Sequence, residues 1–177
     1  MYPFFRFIKT TIQAKKRSKI SFTDQSAIRF LCHPWDIDLW GEMNNGRVLT
    51  LYDIGRMDVA IRCGLDKALL KNKWALVVAG SSVRYRKRIK MFDKITMKTQ
   101  CVGVDDKWFY LEQSMWVKDK PCSSVLIRAG ITSRDGLVHP SSVASAIGAD
   151  YVEGELPLWV KEWVDSEQHR PWPPTSN

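Results

Sequence analysis

Two aspartates two residues apart, Asp36 and Asp38, stand just ahead of an apparent helix start in Asp36-Ile-Asp38-Leu-Trp-Gly41-Glu42-Met-Asn44-Asn45-Gly-Arg47. A helix N-terminus carries backbone N–H groups with no intrahelical partner, together with the positive end of the macrodipole. A carbonyl oxygen held there is polarised and its oxyanion stabilised, while a nearby carboxylate attacks the carbonyl carbon or takes a proton from water. That is minimal equipment for acyl transfer without a serine or cysteine nucleophile. Asn44 or Asn45 suits the N-cap. Asp38 is the carboxylate nearer the helix. Asp36, which points the same way in an extended segment, either raises the pKa of its neighbour or faces solvent. Asp, Asn and Gly are also ordinary loop and cap residues, so on spacing alone a loop that does no chemistry is the favoured reading.

The elements around this loop follow from periodicity. Ser26 to His33 alternates imperfectly and reads as a strand, ended by Pro34. From Asn45 to Arg62 the residues Val48, Leu51, Tyr52, Gly55, Val59 and Cys63 recur every three or four positions, the mark of a helix with one buried face, and Gly64 is its stop. Gly55 in mid-helix costs about 1 kcal/mol against alanine, so its use is expected to be close approach to a sheet. After Lys73 come four stretches rich in β-branched and aromatic residues: Trp74–Ile89, Asp93–Val104, Lys107–Lys118 and Cys122–Ser133. Short turns join them, which means antiparallel pairing. Ile95, Met97, Thr99 and Cys101 alternate with Thr96, Lys98 and Gln100, so that strand has one wet face. A last helix is expected from Glu155 to Glu167, with Leu156, Trp159, Val160 and Trp163 on one side, and a loose tail after Pro171. The expectation is an α+β domain over residues 21–170, with an antiparallel sheet of five or more strands wrapped around one long helix.

Composition narrows the function without choosing it. With 177 residues the chain fits one domain, and 27 Lys and Arg against 19 Asp and Glu leave a net charge of +8, which favours anionic partners. Cys32, Cys63, Cys101 and Cys122 are far apart, without a C-x-x-C pair, and read as reduced thiols packing as small hydrophobes in a cytoplasmic protein. With three histidines, His33, His139 and His169, a histidine-rich metal site is not expected, and neither is any other cofactor. No apolar run is long enough to span a membrane. Residues 1–20 form a separate basic, aromatic segment: Phe4, Phe5, Ile8 and Ile12 fall near helical spacing among Arg6, Lys9, Lys15, Lys16, Arg17 and Lys19. Such a helix could lie on anionic lipid, but the favoured reading is that these aromatics cover an edge of the domain's own core or are partly disordered.

The stretch Asp38-x-x-Gly41-x-Met43-Asn44-Asn45, followed by Gly-Arg47-Val-Leu-Thr-Leu-Tyr52-Asp-Ile-Gly-Arg56, resembles the signature of the 4-hydroxybenzoyl-CoA-type thioesterase superfamily. Tyr85-Arg-Lys-Arg88, Phe92-Asp93 and Trp108-Phe-Tyr110-Leu-Glu112 look like the branch of thioesterase-superfamily-member-6-like proteins. The resemblance covers roughly residues 28–135 and keeps the order of elements. It implies a hotdog fold and hydrolysis of an acyl-CoA or acyl-carrier-protein thioester by a homodimer or homotetramer, with no metal or redox cofactor. Asp38 falls on the family's catalytic carboxylate, Asn45 on the helix-start amide that binds the thioester carbonyl, and Gly41 on the loop glycine that turns close to substrate. Many members have His after that glycine; here it is Glu42, which is either a catalytic substitute or a sign of lost activity. Another lineage uses a helix carboxylate, which makes Asp53 the second-choice catalytic residue.

Gly41, Asn44 and Tyr52 join the basic cluster Arg84, Arg86, Lys87, Arg88 and Lys90 as substrate-binding candidates, the cluster for coenzyme A phosphates. The cluster equally suits a solvated strand end that discourages edge pairing. A non-catalytic acyl-thioester or lipid-binding protein is the alternative function. A hydratase would want a His–carboxylate pair, which His33 does not fit. Nucleic-acid binding lacks an accompanying aromatic stacking pattern.

Overall fold

The structure, a computed structural model, describes residues 2–150 and 156–174. In chain order the elements are α1 (Phe4–Lys16), β1 (Ser26–Leu31), a 3-10 turn (Pro34–Asp36), α2 (Asn45–Arg62), α3 (Leu65–Asn72), β2 (Ala75–Tyr85), β3 (Lys94–Val104), β4 (Phe109–Val117), β5 (Lys120–Ser133), β6 (Gly136–Leu137), α4 (Pro140–Ile147) and α5 (Leu158–Gln168). One antiparallel sheet has the order β1-β3-β4-β5-β2, with β6 paired to the end of β5. Its register slips between Val78 and Gly80 and between Cys101 and Gly103. Such bulges bend and twist a sheet. The curled sheet holds α2 against one face, the arrangement expected from the sequence.

On β3, Ile95, Met97, Thr99 and Cys101 are buried and their alternates face outward, as the alternation required. The helix meets the sheet at Gly55. A Cβ there would come within 2.5 Å of the Met97 sulfur, 2.7 Å of the Thr99 hydroxyl and 2.9 Å of the Gln113 amide nitrogen, so glycine is what permits the contact. Gln113 fastens it: its amide nitrogen donates to the Tyr52 carbonyl and to Thr99 Oγ1, both at 2.9 Å, and its oxygen accepts from Arg56 at 2.6 Å. A buried amide with these partners specifies one helix position along the sheet.

The sequence expectation of one buried face on α2 is too narrow. Ile54, Asp58 and Arg62 are buried as well, because α1 lies against α2. Two arginines bolt α1 down: Arg6 onto Asp36 at 2.5 Å and Arg17 onto Asp58 at 3.1 Å. Asp58 also accepts from Ser26 Oγ and Arg62, so its charge is matched. The favoured reading of the N-terminal aromatics is corrected here. Phe4, Phe5, Ile8 and Ile12 point to solvent, with Phe5 91% exposed, while Ala14 makes the buried contact.

The short elements α3, β6 and α4 had no counterpart in the sequence reading. Gly64 ends α2 in the left-handed region and lets α3 begin at once, with Leu65 and Ala68 turned inward. After β6, the His139 side chain caps α4, which packs on α3. The C-terminal helix starts at Leu158 rather than at Glu155, which lies outside the described residues. It covers the opposite face of the sheet: Val160 and Trp163 pack with Tyr110, Leu126 and Leu156, whereas Trp159 faces outward. Among the described residues, no helix is long and apolar enough to cross a membrane.

Candidate active site

The N-terminal end of α2 is built by Asn44 and Asp36. Asn44 is the N-cap, its Oδ1 accepting from the amides of Gly46 (2.9 Å) and Arg47 (3.2 Å). Asp36 is buried, 1% exposed, which overturns the solvent-facing reading. Its carboxylate takes Arg6, Arg47 (3.2 Å) and the His33 amide (2.9 Å), while its carbonyl accepts the Asn44 amide at 2.9 Å. One carboxylate thus ties α1, the loop and the start of α2 together. Sequence inspection missed this because Arg6 arrives from thirty positions away; the signal available was an acidic residue one place after Trp35 in a Pro-initiated turn.

Asp38 heads a tight hairpin closed by the Ile37–Met43 bridge. Its amide donates to the Glu42 carbonyl (2.8 Å) and its Oδ1 accepts from the Trp40 amide (2.8 Å) and, more weakly, the Glu42 amide (3.5 Å). Among the described residues its Oδ2 takes no hydrogen bond. Gly41 supplies the turn with a φ of +74°, and a Cβ there would meet no protein atom within 4 Å. Leu39 and Trp40 project from the tip into solvent.

Asn45 is the first residue of α2, and among the described residues nothing accepts a hydrogen bond from its N–H. It borders a shallow cavity of about 210 Å³ together with Glu42, Tyr85, Arg86, Lys87, Arg88 and Ser123. The Tyr85 hydroxyl donates to the Asn45 carbonyl at 3.5 Å, and partial burial pushes its phenol above the ordinary value, keeping the proton in place. Glu42 pairs with Arg88 Nε at 3.0 Å. Backbone amides of Arg86 and Lys87 donate to the Cys122 carbonyl, which turns the basic run across the cavity.

The geometry therefore gathers Asn45, Glu42, Arg86, Lys87 and Arg88 round one opening. Arg84 and Lys90 are exposed outside its rim, and Asp38 is on the adjoining hairpin rather than in the lining. Tyr52 is fully buried behind Ser123, its hydroxyl 2.8 Å from Ser123 Oγ, and serves the core. Asp53 stands half-exposed on α2, paired to Arg56. Tyr85 and Ser123 were not anticipated: both belong to strands, and only the curl of the sheet brings them to the helix. Burial raises all four thiols, Cys32 to about 11 and Cys101 to about 12, so none is a ready nucleophile. Among the described residues, no group of three or more His, Cys, Asp or Glu side chains is placed to hold a metal.

Comparison with known proteins agrees with this architecture. The protein THEM6 of Xenopus laevis is 32% identical over 135 residues, 74% of this chain, and the chain spans 63% of that relative's length. A DHNA-CoA thioesterase from Staphylococcus aureus superposes with a TM-score of 0.60 at 15% identity, covering 81% of this chain and 91% of its own. A thioesterase from Thermus thermophilus, solved with coenzyme A and zinc, gives a TM-score of 0.60 at 19% identity, covering 70% of this chain and 97% of its own. The model of the thioesterase-like superfamily matches residues 32–164, three-quarters of the sequence, and the chain belongs to that superfamily.

Proposed function

We propose that the chain hydrolyses an acyl thioester of coenzyme A or acyl carrier protein at the N-terminal end of α2. One observation carries the reading: an uncommitted helix-start amide, that of Asn45, opens onto a cavity rimmed by Arg86, Lys87 and Arg88. The amide suits the thioester oxygen and its oxyanion. The cations suit the phosphates of coenzyme A, the ligand of the structurally similar Thermus protein. Asp38, with Oδ2 uncommitted among the described residues, takes the proton of a water as that water adds to the carbonyl carbon. Negative charge gathers on the former carbonyl oxygen under the Asn45 N–H. Collapse then expels the thiolate, which collects a proton, and leaves the carboxylic acid. Glu42 orients Arg88 rather than standing in for a histidine.

Asp38 does not line the cavity of its own chain, and this favours a site completed by assembly. The edge strand β2 leaves Leu76 and Val78 exposed, and a second copy pairing along it would extend the sheet into a homodimer, which could pair again into a tetramer. The test is thiol release from short, medium, long and aryl acyl-CoAs. Release above buffer for at least one class is expected. Tight acyl-CoA binding with no release from any class would leave the chain a binding protein.

The outward row Phe5, Ile8 and Ile12 on α1, flanked by Lys9, Lys15 and Lys16, favours a second role for this segment, contact with an anionic bilayer. Sedimentation with phosphatidylglycerol vesicles but not phosphatidylcholine ones is expected, and lost in Phe5→Ser/Ile8→Ser. Equal sedimentation with both vesicles would contradict it.

A further inference from the structure

Beneath the C-terminal half of α2 the helix and sheet stand apart. Between them is a cavity of about 550 Å³, more than twice the volume at Asn45, walled by Val59, Ala60, Phe109, Leu111, Ile131 and Val143. The two cavities share no lining residue. The layer where α2 touches Met97, Thr99 and Gln113 through Gly55 lies between the helix ends, and Arg56 is about 16 Å along the axis from Asn45. Protein interiors are close-packed, so a void of this size, whose lining is mostly apolar with Ser21, Thr23, Arg56 and Asp150 among it, is room for a ligand with an apolar body. It is within the size range of small-molecule sites.

Two charged side chains border this cavity. Arg56 is in the wall at 8% exposure, and Asp150 is exposed at the rim. Arg56 donates one Nη to Gln113 and the other to Asp53, and its fork of five N–H groups retains further donors. A ligand matched to these walls has an aliphatic body and one anionic group, and that group is drawn inward by Arg56 and kept from the mouth by Asp150.

We propose that this cavity is a second ligand site, separate from the thioester site, which takes a medium-chain monocarboxylic fatty acid with its carboxylate on Arg56 and its alkyl chain along the wall between α2, α4 and the sheet. The assignment does not depend on the chain being a hydrolase.

The test is calorimetric titration of the delipidated full chain with octanoate, decanoate, dodecanoate and dodecan-1-ol, each below its micellar concentration. Expected are one site per chain, affinity rising about fourfold per added methylene, and dodecan-1-ol weaker than dodecanoate by about tenfold or more. Filling the cavity by Ala144→Phe or, separately, Ala60→Leu should weaken dodecanoate about tenfold while the far-ultraviolet circular dichroism is retained. No binding, binding without chain-length dependence, equal affinity for acid and alcohol, or undiminished binding in a folded filled variant would each overturn the proposal. If neither filled variant folds, the chain-length series and the acid–alcohol ratio decide.

Discussion

The two ends of α2 are opposites. At the N-terminal end the cavity is small, open and rimmed by cations, and the helix presents a backbone donor that nothing else in the described chain uses. At the C-terminal end the cavity is larger and mostly apolar with Asp150 at its mouth, and its one buried cation, Arg56, gives two of its N–H groups to Gln113 and Asp53. Volume and chemistry are therefore separated along a single helix. Size alone would direct attention to the end without an uncommitted helix-start amide, whereas that amide and the cationic rim point to the other. The physical cause is the Gly55 contact, which seats the middle of α2 on the sheet and leaves an unfilled space on either side.

The largest effect on this contrast should come from Asp36→Ala. It strands Arg6 and Arg47 partly buried without their shared carboxylate and removes the link among α1, the hairpin and α2. A loss of about 3–5 kcal/mol in urea unfolding is expected, with α1 becoming the first site of limited proteolysis. A loss under 1 kcal/mol, on the order of an exposed pair, would show that the N-terminal end is not held together by this residue. Next is Gly55→Ala, which pushes a methyl group against Met97, Thr99 and Gln113. It should cost about 1–3 kcal/mol, read as a lower urea midpoint, even though alanine is the better helix former by about 1 kcal/mol. A stabilised variant would mean that the partition between the two cavities is soft. The smallest effect is expected of Glu42→Gln, because its partner Arg88 has a side chain 71% exposed. Exposed pairs contribute at most about 1 kcal/mol, so KM for an acyl-CoA should shift by less than about fivefold with kcat unchanged. A collapse of kcat would instead give Glu42 a direct part in the reaction.

Much of this architecture is legible in the sequence where the determinants are local. The bounds of α2 follow from its apolar period between Asn44 and Gly64, and the four long strands from β-branched runs cut by short turns. Gly55 was readable as a close approach because glycine is costly in mid-helix. What could not be read depends on distant parts meeting. Nothing near Asp36 announces Arg6, and nothing near Tyr52 says that Ser123 will meet its hydroxyl inside the core. The outward set of Phe5, Ile8 and Ile12 is invisible to periodicity, which gives a stripe without saying which way it faces. The larger cavity belongs to α2, α4 and four strands at once, and no segment carries its signature.

Acyl-thioester hydrolysis at the Asn45 end, with Asp38 as the reacting carboxylate, stands or falls on Asp38→Asn. Asparagine keeps the Oδ1 acceptor that holds the Trp40 amide and removes the charge and basicity. Thiol release should fall by about 100-fold or more, with coenzyme A affinity and thermal midpoint close to those of the unaltered protein. Undiminished thiol release from this variant, with the fold intact, would contradict a reaction through Asp38.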